Sequence, residues 1–172
     1  MKVVLTGPES SGKSTLAKAL AEHYQTVWVP EYAREYLKDK GLDYQFEDLE
    51  KIAKGQLNLE EEYGTMGKDL IFCDTALFVM KIWSEYRFGK CAPWILEQLQ
   101  TRTYDLFLLC SPDIPWEFDL LRQNADNRQE LFQIYERELK RANQNYIILE
   151  GDLSARCHKA TAIIDALLKT PK

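Results

Sequence analysis

The segment Gly7-Pro8-Glu9-Ser10-Ser11-Gly12-Lys13-Ser14 fits G-x-x-x-x-G-K-[ST] at every specified position, and it constrains the fold more than any other stretch of the chain. Such a loop works only between a strand and a helix. Gly7 and Gly12 permit backbone conformations that wrap a phosphate and turn successive N–H groups inward as an anion nest. The helix that follows adds the positive end of its dipole at the same point. Lys13 can reach the β- and γ-phosphates, and Ser14 can offer its hydroxyl to Mg²⁺. The flanks meet the demand: Lys2 to Thr6 is a short apolar run, and residues 14–24 carry Leu16, Leu20 and Ala21 on one face. We therefore expect residues Gly7 through Thr15 to bind the phosphates of a nucleoside triphosphate.

The same alternation runs through the chain. Short apolar runs at 2–6, 26–29, 70–73, 106–110 and 146–149 are separated by amphipathic patterns at 14–24, 46–63, 76–86, 94–101, 129–143 and 154–168. Runs that are apolar nearly throughout predict strands covered on both faces. The expectation is an α/β fold with a mostly parallel sheet covered by helices on both faces, forming one domain over residues 1–172. A net charge of -5 argues against a broad nucleic-acid footprint. The cysteines Cys73, Cys91, Cys110 and Cys157 stand singly, so reduced thiols are expected rather than a zinc site or disulfides. The chain carries no stretch long enough to span a bilayer, and its first apolar run is too short for a signal peptide, so a cytoplasmic setting is expected.

Three further elements point to chemistry. Leu70-Ile71-Phe72-Cys73-Asp74 ends an apolar run on an acid, where a carboxylate beside the P-loop strand holds Mg²⁺; the alternative is that Asp74 caps the next helix, and one residue could do both. Val29-Pro30-Glu31-Tyr32-Ala33-Arg34-Glu35-Tyr36 places Glu31 at the carboxyl end of another strand, where open sheets bind ligands. Glu31 could accept the proton of an acceptor hydroxyl, with Arg34 holding the acid or neutralising phosphate. Tyr32, Tyr36 and Trp116 are candidates for stacking on a flat ring. The least regular segment, residues 111–128, is expected to form a lid that carries Arg122 and Arg128 to the migrating phosphoryl group. Its arginines could instead pair with Asp119, Asp126 or Glu130.

Taken in order, these residues resemble the ribosylnicotinamide kinase domain of NadR-type proteins over nearly the whole chain. The resemblance rests on Gly7-x-Glu9-Ser10-Ser11-Gly12-Lys13-Ser14-Thr15, Glu31-Tyr32-x-Arg34-Glu35-Tyr36, Asp74-Thr75, Pro115-Trp116-x-x-Asp119-x-x-Arg122 and Arg128. It implies a nucleoside-kinase architecture, a P-loop three-layer α/β/α fold with a five-stranded parallel sheet and a lid after the fourth strand. It also implies ATP-dependent phosphorylation of the ribose 5′-hydroxyl of nicotinamide riboside. In that reading Lys13 and the loop amides hold ATP, Ser14 and Asp74 organise Mg²⁺, Glu31 is the base, and Arg122 with Arg128 neutralises the phosphoryl group. The partner is a small nucleoside, not a nucleic acid or a membrane. Two departures stand out. The first strand begins at residue 2, so phosphorylation without the adenylylation of the larger proteins is expected. Ala76 stands where the family commonly has another acid, so the grip on the ribose is expected to differ. A kinase of another nucleoside or nucleotide, and a regulatory P-loop ATPase acting through a protein partner, remain alternatives.

Overall fold

The computed structural model describes residues 1–38, 40–122 and 124–169. Five strands, β1 (Lys2–Thr6), β2 (Val27–Val29), β3 (Ile71–Asp74), β4 (Leu106–Cys110) and β5 (Tyr146–Leu149), form one parallel sheet in the order β2-β3-β1-β4-β5. Helices α1 (Lys13–His23), α2 (Tyr32–Leu37), α3 (Phe46–Gly64), α4 (Leu77–Phe88), α5 (Pro93–Thr101), α6 (Arg128–Arg141) and α7 (Leu153–Lys169) complete it.

The pleat explains the continuous apolar runs. Val3 and Leu5 of β1 pack with Phe72, Leu106 and Leu108 against α1 and α7 on one face. Val4 packs with Cys73, Phe107 and Leu109 against α3 and α4 on the other. Both faces of each central strand are covered, so apolar residues occupy both registers. The chain leaves β1 in one direction to lay down β2 and β3, then crosses over it to lay down β4 and β5. Ligands of open sheets sit at the carboxyl ends beside such a reversal, and the P-loop follows the central strand there.

The expected elements are present with ends shifted by a residue or two, and one helix is additional. Six residues after Glu31 form α2, too short to show a periodic face. The capping alternative for Asp74 is not realised. Thr75 takes a left-handed φ of 72°, which delays the helix, and Ala76 occupies the N-cap without a side-chain bond. Asp74 stays on the strand end. Ala76 itself is fully buried in the core.

The apolar stripe of α3, Leu49, Ile52, Ala53 and Leu57, faces the core as its spacing predicts, but the stripe continues into the buried Gln56 and Glu60. The Tyr104 hydroxyl donates to both Glu60 oxygens at 3.1 and 3.2 Å, and the Lys2 ammonium lies 3.8 Å away. Burial pushes the Glu60 carboxyl up to about 7. The folded state therefore holds a proton that the unfolded chain has released, and stability falls as pH rises from the ordinary glutamate range through about 7. Glu60→Gln is expected to raise the melting temperature at pH 8 by at least ~3 °C, the shift that about 1 kcal/mol makes in a domain of this size. At pH 5 it should change little. Equal shifts in thermal melts at both pH values would show that Glu60 is ionised throughout.

Candidate active site

The P-loop is built on a close approach. Gly7 has φ 128°, and a Cβ there would lie 2.7 Å from the Cys110 carbonyl oxygen at the end of β4. Gly12, the N-cap of α1, has φ 79°. Ser10 also takes a left-handed φ, 52°. The Ser11 hydroxyl donates to Pro8 O at 2.8 Å. The Lys13 ammonium donates to Gly7 O at 3.0 Å and Pro8 O at 2.7 Å. The lysine thus spans the mouth of the loop it serves.

Glu31 stands at the N-cap of α2 but makes no capping bond with its side chain. The backbone on either side of it is clamped by Gln56, whose Oε1 accepts from Tyr32 N at 2.8 Å and whose Nε2 donates to Pro30 O at 3.3 Å. Arg34, one turn on, places Nε 3.3 Å from the Glu31 carboxylate and Nη1 2.8 Å from Asp119 of the segment after β4. Burial and the neighbouring Asp74 carboxylate raise the proton affinity of Glu31 above the ordinary glutamate range, against the pull of Lys13 and Arg34. Burial raises Asp74 likewise, opposed by a hydrogen bond from Ser14 and by Lys13. Among the described residues, the buried oxygens Asp74 Oδ1, Thr75 Oγ1 and Thr6 Oγ1 find no hydrogen-bond partner. Three orphaned acceptors at the carboxyl edge, beside a hydroxyl–carboxylate pair, are the hard oxygen donors that hydrated Mg²⁺ takes.

The segment 111–128, described except at residue 123, makes contacts with the P-loop. Ser10 Oγ accepts from Glu117 N at 2.9 Å and from Arg122 Nη1 at 3.3 Å. The Glu9 carboxylate accepts from Asn124 N at 3.0 Å and from Asn124 Nδ2 at 3.3 Å. Arg122 lies 3.9 Å from Asp119, and its Nη1 donates to Glu117 O of the same segment at 2.6 Å as well as to Ser10 of the P-loop. A cavity of about 220 Å³ beneath the segment joins the whole P-loop, Gly7 to Thr15, to Glu31, Arg34 and Arg122.

Five expected residues do not line the cavity: Asp74 is buried at the end of β3, and four others lie elsewhere. The Tyr32 ring packs on Gly55 so closely that a Cβ there would come within 2.0 Å of it. The Tyr36 hydroxyl donates to Asp48 at 2.8 Å. Both tyrosines face α3, because α2 turns them there, and neither lines the cavity. Trp116 lies under the Arg128 guanidinium at 5.6 Å, outside the cavity wall. Arg128 donates to Ser10 O at 3.2 Å and Ile114 O at 3.0 Å, bracing the loop from outside. The aromatic wall is instead formed by Trp83 and Tyr86 of α4 and Tyr135 of α6. Trp83 Nε1 donates to the Tyr44 hydroxyl at 2.8 Å, which fixes its ring. In the sequence these three occupy helical positions that read as ordinary core.

A family model described as an AAA domain matches residues 2–156. The trifunctional NAD biosynthesis/regulator protein NadR of Salmonella typhimurium is 25% identical over 173 aligned residues, covering 96% of this chain and 42% of the relative. The chain thus spans less than half the length of that curated relative. Two solved NadR structures, each 21% identical, superpose on 99% of this chain and 50% of theirs. One is in complex with NR, at a TM-score of 0.75, and the other with NAD and AMP-PNP, at 0.77. A deoxyadenosine kinase from M. mycoides, 12% identical, matches at a TM-score of 0.66 over 96% of this chain and 100% of its own. At these identities the structures show the fold. Among the described residues, no helix is long and apolar enough to cross a membrane.

Proposed function

The chain belongs to the AAA domain family, and from that premise we propose that it is an ATP-dependent kinase. It transfers phosphate to the ribose 5′-hydroxyl of nicotinamide riboside, giving nicotinamide mononucleotide. The observation that carries this reading is the cavity in which the phosphate-binding loop meets the Glu31 carboxylate and an aromatic wall. The NadR relative and the NadR structures with NR and with AMP-PNP support the choice of acceptor and donor.

In this reading the loop amides and Lys13 hold the triphosphate. Glu31, held by Gln56 and Arg34, takes the proton of the 5′-hydroxyl as its oxygen forms a bond to the γ-phosphorus and ADP leaves. Arg122 neutralises charge on the transferring group from the lid side, while Arg128 and Trp116 prop the lid at Ser10. Ser14 and Asp74 would hold Mg²⁺, which when bound neutralises charge on the phosphates. The cationic nicotinamide ring suits the Trp83 and Tyr86 faces. The domain is the region within residues 1–172, with 111–128 as its lid, working in the cytoplasm.

Labelled-phosphate transfer from ATP, run on a panel of nucleosides, tests the proposal. Nicotinamide riboside should be the preferred acceptor. A different preferred nucleoside would overturn the acceptor alone, whereas steady ATP hydrolysis with no phosphorylated nucleoside would sink the kinase.

A further inference from the structure

Arg156 is a buried cation that no step above uses. It lies in the first turn of α7, is 2% exposed, and its guanidinium reaches three separate segments. Nη1 donates to Ser11 O of the P-loop at 2.5 Å. Nη2 donates to Ser111 O after β4 at 2.9 Å, and Nε to Gly151 O after β5 at 2.8 Å. Its carboxylate partner is Asp113, which also accepts from Gly151 N at 2.6 Å. A charge buried this fully is costly unless its donors are met, and here the acceptors are mostly backbone carbonyls.

The bond to Ser11 has a geometric consequence. In a planar trans peptide the C=O of one residue and the N–H of the next point in opposite directions. Pulling Ser11 O toward Arg156 therefore aims the Gly12 N–H away from α7, into the concave side of the loop. The guanidinium lies close beneath, with Nη1 3.6 Å from where a Gly12 Cβ would be. We propose that Arg156 is a positioning residue of the nucleotide site: it sets the direction of the Gly12 amide toward the phosphates without touching them. This rests on the kinase reading only in assigning a nucleotide to the loop.

The test titrates ADP into the wild type, Arg156→Lys and Arg156→Met by calorimetry, with the KM for nicotinamide riboside measured alongside. A misaimed amide–phosphate bond should weaken ADP by about ten- to a hundred-fold, while the acceptor KM stays within about twofold. A purely structural arginine would lower the melting temperature and leave both constants unchanged in the folded protein. Folded Arg156 variants that bind ADP like the wild type would overturn the proposal. Should neither fold, Asp113→Ala carries the test, since that side chain is 34% exposed. ADP should then weaken by roughly threefold or more through the loosened guanidinium, and unchanged affinity would overturn the proposal. A wild type that binds no ADP would instead fail the kinase reading itself.

Discussion

Glu31→Gln is expected to lower turnover by about 10²–10⁴-fold, the range that a positioned base contributes, while ADP affinity changes little. The side chain keeps its shape and its acceptor oxygen toward Arg34, so the Glu31–Arg34–Asp119 chain is the part least disturbed. What disappears is the ability to take a proton. Burial and the nearby Asp74 hold Glu31 above the ordinary glutamate range, a shift that makes a better base once the group is ionised. The sign follows for pH. Below its raised pKa Glu31 is protonated and cannot act, so the acidic limb of the wild-type rate profile should lie above the ordinary glutamate range. The variant should lack that limb. Single-turnover kinetics with saturating ATP separates the outcomes: a variant within severalfold of wild type would remove Glu31 from the mechanism. A variant that also loses ADP would show that the charge serves the donor side.

The donor half was legible because its chemistry is local. Eight consecutive residues specify the P-loop, and the apolar runs on either side say that it joins a strand to a helix. Glu31 and Asp74 were legible for a related reason: Asp74 ends the buried strand β3, and Glu31 follows β2 by two residues, so both acids stand at the carboxyl edge of the sheet. The aromatic wall was not. Trp83, Tyr86 and Tyr135 sit on helical faces whose spacing is that of core residues, and only the turn of α4 and α6 over the sheet edge brings them to one cavity. Tyr32 and Tyr36 misled in the opposite sense. They flank Arg34 in a motif-like stretch, but Gly55 leaves a flat bed on α3 for Tyr32, and Asp48 offers Tyr36 an acceptor. Gln56 and Arg156 gave no signal along the chain, lying 24 and 145 residues from Tyr32 and Ser11, whose backbone they hold. Contacts made through backbone carbonyls leave no complementary side chain to find.

The two loop glycines make a sharper distinction than the motif, which treats them alike. Gly7→Ala should abolish measurable ADP binding and cost about 1–3 kcal/mol of stability, the range for strained backbone and overpacked sites. At φ 128° an L side chain is strained whatever the space, and here there is none: the added Cβ meets Cys110 O at 2.7 Å and Cys110 N at 3.3 Å. Those atoms cannot yield cheaply. Cys110 is the last residue of β4, paired with Leu149 of β5, and its neighbour Leu109 is paired with Thr6. Relief must come from the loop, which would swing away from the strand end and carry the anion nest with it. Gly12→Ala meets only the Ile114 Cδ1 at 3.3 Å and Arg156 Nη1 at 3.6 Å. A side-chain methyl can move, so the cost there is chiefly the left-handed backbone, about 1–2 kcal/mol. Thermal melts and ADP calorimetry on the pair should therefore rank Gly7→Ala as the more damaging, with residual nucleotide binding kept only by Gly12→Ala. The reverse order would mean that the loop does not rest on β4, and that its shape is set by α1 alone.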